Sequence, residues 1–273
     1  MTTNPQSHRS DPRVLSRRTL QKDHRYLAKL LRPGLFVLDV GCGTGAITAG
    51  IAEAVGPQGF VIGVDRDQAN LELALREHPS VPNLLFEQGD ATSLTFHAEF
   101  DVVTAARTLQ WISEPGLAIL KMKEALKPSG MLVVLDYNLA ANEWEPAPPI
   151  EFRDFYQAFL AWRKANLWDN EMADHLPGLF QSAGLIEIET HVQDEVAERG
   201  SPDFDEHAKL WSWVIENMGE QLTKAGFLNQ SQLQAASECY PAWAQTELMK
   251  QTLRMRTVVG IKSPTESPAP ASR

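Results

Sequence analysis

Between residues 34 and 138 the chain alternates short β-branched runs with longer stretches whose apolar positions recur every three or four residues. LFVLDV (35–40) and FVIGVD (60–65) are apolar almost without interruption, as expected of strands covered on both faces; NLLFEQGD (83–90), FDVVTAA (100–106) and MLVVLDY (131–137) continue the series. Between them, ITAGIAEAV (47–55), QANLELALREH (68–78) and GLAILKMKEALK (116–127) carry the helical period. Strand and helix alternating in this way predict an α/β fold: a Rossmann-like, doubly wound, mostly parallel sheet with helices on both faces. Right-handed crossovers then bring every strand's carboxyl end, and with it any ligand, to one edge.

That edge carries the chemistry. DVGCGTGA (39–46) follows the first strand as a glycine-rich turn opening a helix, where the backbone can approach a ligand closely. Gly41, Gly43 and Ala46 satisfy the G-x-G-x-x-A form of a dinucleotide fingerprint, while Gly41, Gly43 and Gly45 satisfy the G-x-G-x-G form expected for S-adenosylmethionine. Asp39 breaks the tie. A carboxylate at this strand end opposes a pyrophosphate and suits a ligand bearing an ammonium and a sulfonium. Asp65 ends the second strand about twenty residues on, the position from which an acid accepts ribose hydroxyls. Asp90 ends the third, placed to receive an adenine amino group. One such aspartate is ordinarily a turn or cap residue. Three at successive strand ends, with a glycine loop at the first, point instead to a binding edge.

LDVGCGTG (38–45), GVDRD (63–67), GDA (89–91), FDVVTAARTLQWISEP (100–115) and LKPSGMLVVLDY (126–137) together resemble the class I S-adenosylmethionine-dependent methyltransferases, specifically the small-molecule group that includes ubiquinone/menaquinone and trans-aconitate methyltransferases. The resemblance spans roughly residues 20–138 and resumes at LPGLFQSAGLIEIET (176–190), which looks like that fold's last helix and sixth strand. It implies S-adenosyl-L-methionine as cofactor. Asp39 and the loop Gly41, Cys42, Gly43, Thr44 and Gly45 would hold the methionine part, Asp65 the ribose, and Asp90 with Ala91 the adenine. Tyr26 matches an aromatic that closes over the methionine carboxylate. Arg66 follows the ribose acid and would lie along the adenine. Arg107 departs from the family, which has a small or polar residue there; an arginine would reach a carboxylate of the substrate or of the cofactor. Ser129 replaces the commoner glycine in LKPSG.

Two connections are long for this fold. Residues 139–171 separate the fifth strand from the last helix, and 194–251 separate the sixth strand from a seventh, TLRMRTVVGIK (252–262). Phe152, Phe155, Phe159 and Trp162 recur at helical spacing, as do Leu210, Trp213 and Val214, so both insertions read as amphipathic helices forming a lid. The expected organisation is a disordered tail at 1–18, a methyltransferase domain at 19–262 with core 30–138, 172–193 and 252–262, and a disordered tail at 263–273. Six of the seven tryptophans fall in the insertions, which suggests an apolar substrate pocket. Its candidate lining is Trp111, Tyr137, Phe155, Phe159, Trp162 and Trp213, and the lid helices offer a surface for a homodimer. No motif supplies an obvious general base; His175 and His207 are the histidines in or beside the lid.

Composition narrows the partners. The 273 residues carry 25 basic and 35 acidic side chains, a formal charge of −10 that repels nucleic acid and anionic membranes alike. The expected partner is a small-molecule methyl acceptor. Two cysteines cannot form a disulfide framework, which fits a cytoplasmic setting. SRRTLQK (16–22) partly matches a twin-arginine export signal, but HRYLAKLLR (24–32) alternates charge with apolar positions where an export signal needs an unbroken apolar run. Two further readings stay open on sequence. One is a cofactor-binding regulator or scaffold that no longer transfers methyl. The other is a nicotinamide-dependent oxidoreductase, disfavoured by Asp39 and by the lack of a Tyr-x-x-x-Lys pair near the fifth strand.

Overall fold

The buried apolar runs become strands and the amphipathic stretches between them become helices, in a computed structural model that describes residues 11–265. In chain order these are α1 (Pro12–Leu15), α2 (Leu20–Asp23), α3 (Arg25–Leu30), β1 (Phe36–Val40), α4 (Ala46–Val55), β2 (Phe60–Asp65), α5 (Gln68–Glu77), β3 (Leu84–Gln88), β4 (Phe100–Ala106), a 3-10 turn (Leu109–Trp111) and α6 (Pro115–Ala125). They continue with β5 (Leu126–Glu145), α7 (Ile150–Ala165), α8 (Met172–Ser182), β6 (Ile186–Val192), β7 (Glu195–Glu198), α9 (Phe204–Lys224), α10 (Gln230–Thr246) and β8 (Lys250–Ile261). The sheet order is β3-β2-β1-β4-β5-β8-β6, with β7 also paired to β8. Pairings among β1 to β5 are parallel, whereas β6 and β7 run antiparallel to β8.

The chain divides into two units. The sheet unit comprises Pro12–Asp136, Met172–Gln193 and the chain from Arg256. Alternation along its strands builds two cores. Val37, Val61, Val102 and Val133 point to one face and meet Leu20, Leu27, Ile47 and Ile51. Leu38, Val64, Val103 and Val134 point to the other and meet Ile119, Met122, Leu176 and Phe180.

The helical unit comprises Tyr137–Glu171 and Asp194–Met255. Its core is aromatic: Phe152 lies 4.4 Å from Tyr240, Tyr156 4.9 Å from Trp211 and 5.0 Å from Trp144, and Trp162 5.2 Å from Trp168. The last three are edge-to-face, and aromatic pairs of this kind contribute beyond area burial. The Tyr156 hydroxyl donates to the Leu139 carbonyl at 2.5 Å and accepts from Asn142 Nδ2 at 3.1 Å. Tyr156→Phe leaves that buried carbonyl without its donor and is expected to lower stability by about 1–2 kcal/mol, measured by denaturant unfolding.

The structure adds detail to these expectations. Residues 1–10 lie outside the described residues, but Pro12–Leu15 is helical and the Thr19 side chain caps α2 by accepting from the Lys22 N–H, so order begins well before residue 19. At the other end, Ser263 and Thr265 hydroxyls lie 2.9 Å apart in a turn, and 266–273 are outside the described residues. The sheet has an eighth strand, β7, which continues along β8 where β6 stops; Gln193 and Asp194 interrupt the two by turning their side chains into hydrogen bonds with Thr257 and the Met255 N–H. Finally, α9 buries Phe204, Ala208, Trp211, Ile215, Met218 and Leu222, a stripe one step round the helix from Leu210, Trp213 and Val214, which are half-buried. Both stripes satisfy the helical period, and the one containing the ring that packs on α7 is the one covered.

Candidate functional site

β1 ends at Val40 and α4 begins at Ala46, so five residues must reverse direction between them. Gly41 and Cys42 donate backbone N–H bonds to the Val64 carbonyl at 2.7 and 3.0 Å, tying the loop to β2. Gly41 and Gly45 have φ of +77° and +79°, the left-handed region that glycine enters without penalty. Packing also requires them. A Cβ on Gly41 would stand 2.3 Å from Thr108 Oγ1, and one on Gly45 2.5 Å from the Phe86 ring. From the other side α1 sits on the loop: a Cβ on Gly43 would stand 3.2 Å from Leu15, and the Ser16 hydroxyl is 3.3 Å from that of Thr44.

Around the loop lie the predicted carboxylates. Asp39, 3% exposed, accepts from Thr48 Oγ1 at 2.7 Å. Burial pushes its carboxyl up to about 6, the Thr48 hydrogen bond opposes that rise, and the Asp65 charge adds to it. Asp65 serves as a brace. One oxygen accepts the Gly43 N–H at 2.8 Å and the other the Asp67 N–H at 2.8 Å. Burial raises its carboxyl above the usual range, and those N–H bonds hold the rise back. The Asn70 side chain bonds the same carboxylate, which leaves it one further acceptor position for a ligand hydroxyl. Asp90 is exposed and forms a turn, one oxygen accepting the Thr92 N–H at 2.8 Å and its hydroxyl at 2.6 Å. Ala91 is buried in the core, and Arg66 is exposed with its carbonyl accepting from Gln88. Burial, then the charges of Asp39 and Asp65, push the Cys42 thiol far up, so it stays protonated.

Two further candidates have partners within the chain. Arg107, at φ +59°, turns back to Asp23, donating to its carbonyl at 3.0 Å and lying 3.7 Å from its carboxylate. Tyr26 stacks on His191 at 3.7 Å, and its N–H donates to Gln193. Of the proposed lining residues, Phe155, Phe159 and Trp162 are buried in the aromatic core of the helical unit, which explains their spacing by packing. Trp213 is half-buried on α9, Tyr137 is half-buried at the unit's first position, and Trp111 is half-buried in the 3-10 turn of the sheet unit. His175 is exposed on α8 in the sheet unit, and His207 is half-buried on α9 in the helical unit.

Sequence reasoning missed several polar residues of the same edge. Asp136 is fully buried at the end of β5's run and accepts the Gln110 N–H at 3.1 Å. It is a fourth strand run closing on aspartate, and MLVVLDY displays it. His24, Thr104 and Gln193 are buried as well, with no motif to mark them.

The acceptor-rich loop can be tested for fit. Asp39 and Asp65 are both held above the ordinary carboxylate range beside the glycine loop. A cationic ligand with ammonium and hydroxyl donors relieves both groups, whereas a pyrophosphate adds to their repulsion. These residues fit S-adenosylmethionine. Among the described residues, no helix is long and apolar enough to cross a membrane.

A family model described as a methyltransferase domain matches residues 31–184. The demethylmenaquinone methyltransferase of Staphylococcus carnosus is 31% identical over 178 residues, covering 58% of this chain and 71% of that protein, and that of Staphylococcus aureus is 29% identical over 177 residues, covering 58% and 70%. Among solved structures, phosphoethanolamine N-methyltransferase 2 of Haemonchus contortus with S-adenosyl-L-methionine aligns at a TM-score of 0.55 and 18% identity, covering 88% of this chain and 52% of that one. The [4+2]-cyclase SpnF aligns at 0.53 and 19%, covering 91% and 84%. At such identities the structures speak for the fold alone. The family match and the glycine loop between β1 and α4 agree, and the chain belongs to the methyltransferase-domain family as a class I S-adenosylmethionine-dependent methyltransferase.

Proposed function

We propose that the protein moves a methyl group to oxygen, carbon or nitrogen of a small organic acceptor with an apolar body, and that residues 41–45 with Asp39, Asp65 and Asp90 hold the cofactor. The observation that carries this reading is buried Asp39, its pKa raised further by the charge of half-buried Asp65, which braces the glycine loop. Asp39 and the loop backbone would take the methionine end, the remaining acceptor position of Asp65 a ribose hydroxyl, and Asp90 with Ala91 the adenine. S-adenosylmethionine supplies the methyl on a positively charged sulfur. The chain's own contribution is alignment for in-line displacement and exclusion of water, together about 7–11 kcal/mol in favourable cases. A nucleophilic acceptor then needs no protein base. An acceptor with an apolar body is supported by the name of the S. carnosus relative, a demethylmenaquinone methyltransferase.

Calorimetric titration with S-adenosylhomocysteine and with NAD tests the reading, and failure of the former to bind at millimolar concentration would refute it. Asp65→Ala is expected to weaken S-adenosylhomocysteine binding about ten- to a hundredfold, since it removes ribose contacts and releases the Gly43 N–H. An unchanged dissociation constant in the folded variant would show the site to be elsewhere.

A further inference from the structure

One face of the sheet is apolar along β1, β4 and β5 except near its carboxyl end. There Asp39 and Thr104 are direct register partners on adjacent parallel strands and so share that face with Val37 and Val102. Thr48 reaches Asp39 from α4, and His24 reaches Thr104 from the junction of α2 and α3, its Nε2 2.8 Å from Thr104 Oγ1. The result is a small buried polar island, one strand spacing wide, at the start of the glycine loop.

Hydrogen-bond accounting fixes the imidazole. Thr104 donates its hydroxyl hydrogen to the Val133 carbonyl at 2.8 Å, so toward His24 it can only accept. His24 therefore carries its hydrogen on Nε2 and presents a bare lone pair on Nδ1. That atom is buried and has no hydrogen-bond partner. Burial, aided by the Arg107 charge, lowers the imidazole to about 3, which keeps it neutral and accepting at any working pH. Arg107 is itself turned onto the Asp23 carbonyl and carboxylate. An unpaired buried acceptor is costly, and one on the ring that meets Thr104, the register partner of the buried Asp39 carboxylate, calls for a ligand rich in donors.

We propose that His24 Nδ1 accepts a hydrogen bond from the α-ammonium of the bound cofactor, so that Asp39 and His24 together read its amino group. The proposal rests on the cofactor placement given above, and it adds a contact that distinguishes cofactor from deaminated analogues. A carboxylate supplies charge but little direction; a lone pair fixed by Thr104 supplies direction.

The test is calorimetric titration of S-adenosylhomocysteine and of its analogue with hydrogen in place of the α-amino group. Three proteins are compared: the native chain, His24→Gln and His24→Asn. Gln retains a donor near the Nε2 position for Thr104 but removes the Nδ1 acceptor, whereas Asn offers an amide oxygen near the Nδ1 position. His24→Gln is expected to bind S-adenosylhomocysteine about tenfold more weakly with the analogue's affinity unchanged, and His24→Asn to stay within about threefold of native for both. Equal losses for both ligands would assign His24 a structural role, and no loss in His24→Gln would leave Nδ1 without a function in binding; either overturns the proposal. If the native chain binds neither ligand, the cofactor site itself is misplaced, an outcome distinct from the other two.

Discussion

Replacing Asp39 by asparagine is expected to make the ligand-free protein more stable by about 3 kcal/mol at pH 7 and, at the same time, a poorer binder of S-adenosylhomocysteine. The carboxyl is fully buried and its pKa is raised from the ordinary range to about 6. A carboxyl that holds its proton more tightly folded than unfolded contributes stability below about pH 4, where both states are protonated; that contribution is lost as pH rises through 6. Above pH 6 the fold carries the whole cost of an ionised group in an apolar setting. An amide keeps the oxygen that accepts from Thr48 and removes the charge. The measurement is unfolding free energy from pH 4 to 7 for both proteins. Their difference should grow across that window and then level off, because other titrating groups cancel in the comparison. Native binding of the cationic ligand should weaken as pH falls below 6, and the variant should lose this dependence. A variant that is no more stable at pH 7 than at pH 4, relative to native, would show that Asp39 is not strained by ionisation. The destabilisation is the price of a charge held ready for a cation.

The second large effect is at Gly45. Alanine there must adopt a left-handed backbone at φ +79°, at about 1–2 kcal/mol, and must place its Cβ 2.5 Å from the Phe86 ring, with Ala74 close behind. Overpacking of this sort costs about 1–3 kcal/mol. The sum, about 3 kcal/mol, should lower the melting temperature by roughly 6–12 °C. Gly45→Ala with Phe86→Leu should recover part of the loss, since the shorter side chain makes room while the backbone strain persists. A melting temperature within a degree of native would refute the packing argument. Ligand affinity should also fall, because Gly45 opens α4 and its N–H holds the Cys42 carbonyl at 3.0 Å.

Legibility in the sequence followed what each residue answers to. Strands β1, β2 and β4 were legible because burial on both faces demands unbroken apolar runs, and α7 because Phe152, Phe155, Phe159 and Trp162 mark one face. The buried face of α9 was not, since two stripes share its period and only the partner across the interface selects one. Asp39 was found through its place before the glycines. The bracing role of Asp65 was hidden because the partners it braces are backbone N–H groups, which every residue but proline possesses. The turn of Arg107 toward Asp23 and the stack of Tyr26 on His191 join positions far apart in the chain, and neither spacing nor composition records such meetings. His24 sits in no motif, and its meaning depends on a hydroxyl eighty positions away.

The division of β5 and β8 between units bears on how the chain is made. β5 passes from the sheet unit to the helical unit after Asp136, and β8 passes back after Met255. On a ribosome emitting about 5–20 residues per second, α7 emerges before α9 and α10, which supply Trp211 and Tyr240 to its aromatic face. Val258 and Val259, needed by both cores of the sheet unit, come later still. Neither unit can close vectorially. Phe152, Phe155, Tyr156 and Phe159 are thus uncovered for times on the order of seconds during synthesis. Nascent-chain crosslinking should find a holdase on α7 in that interval, and pausing introduced between α7 and α9 should raise aggregation more than pausing elsewhere.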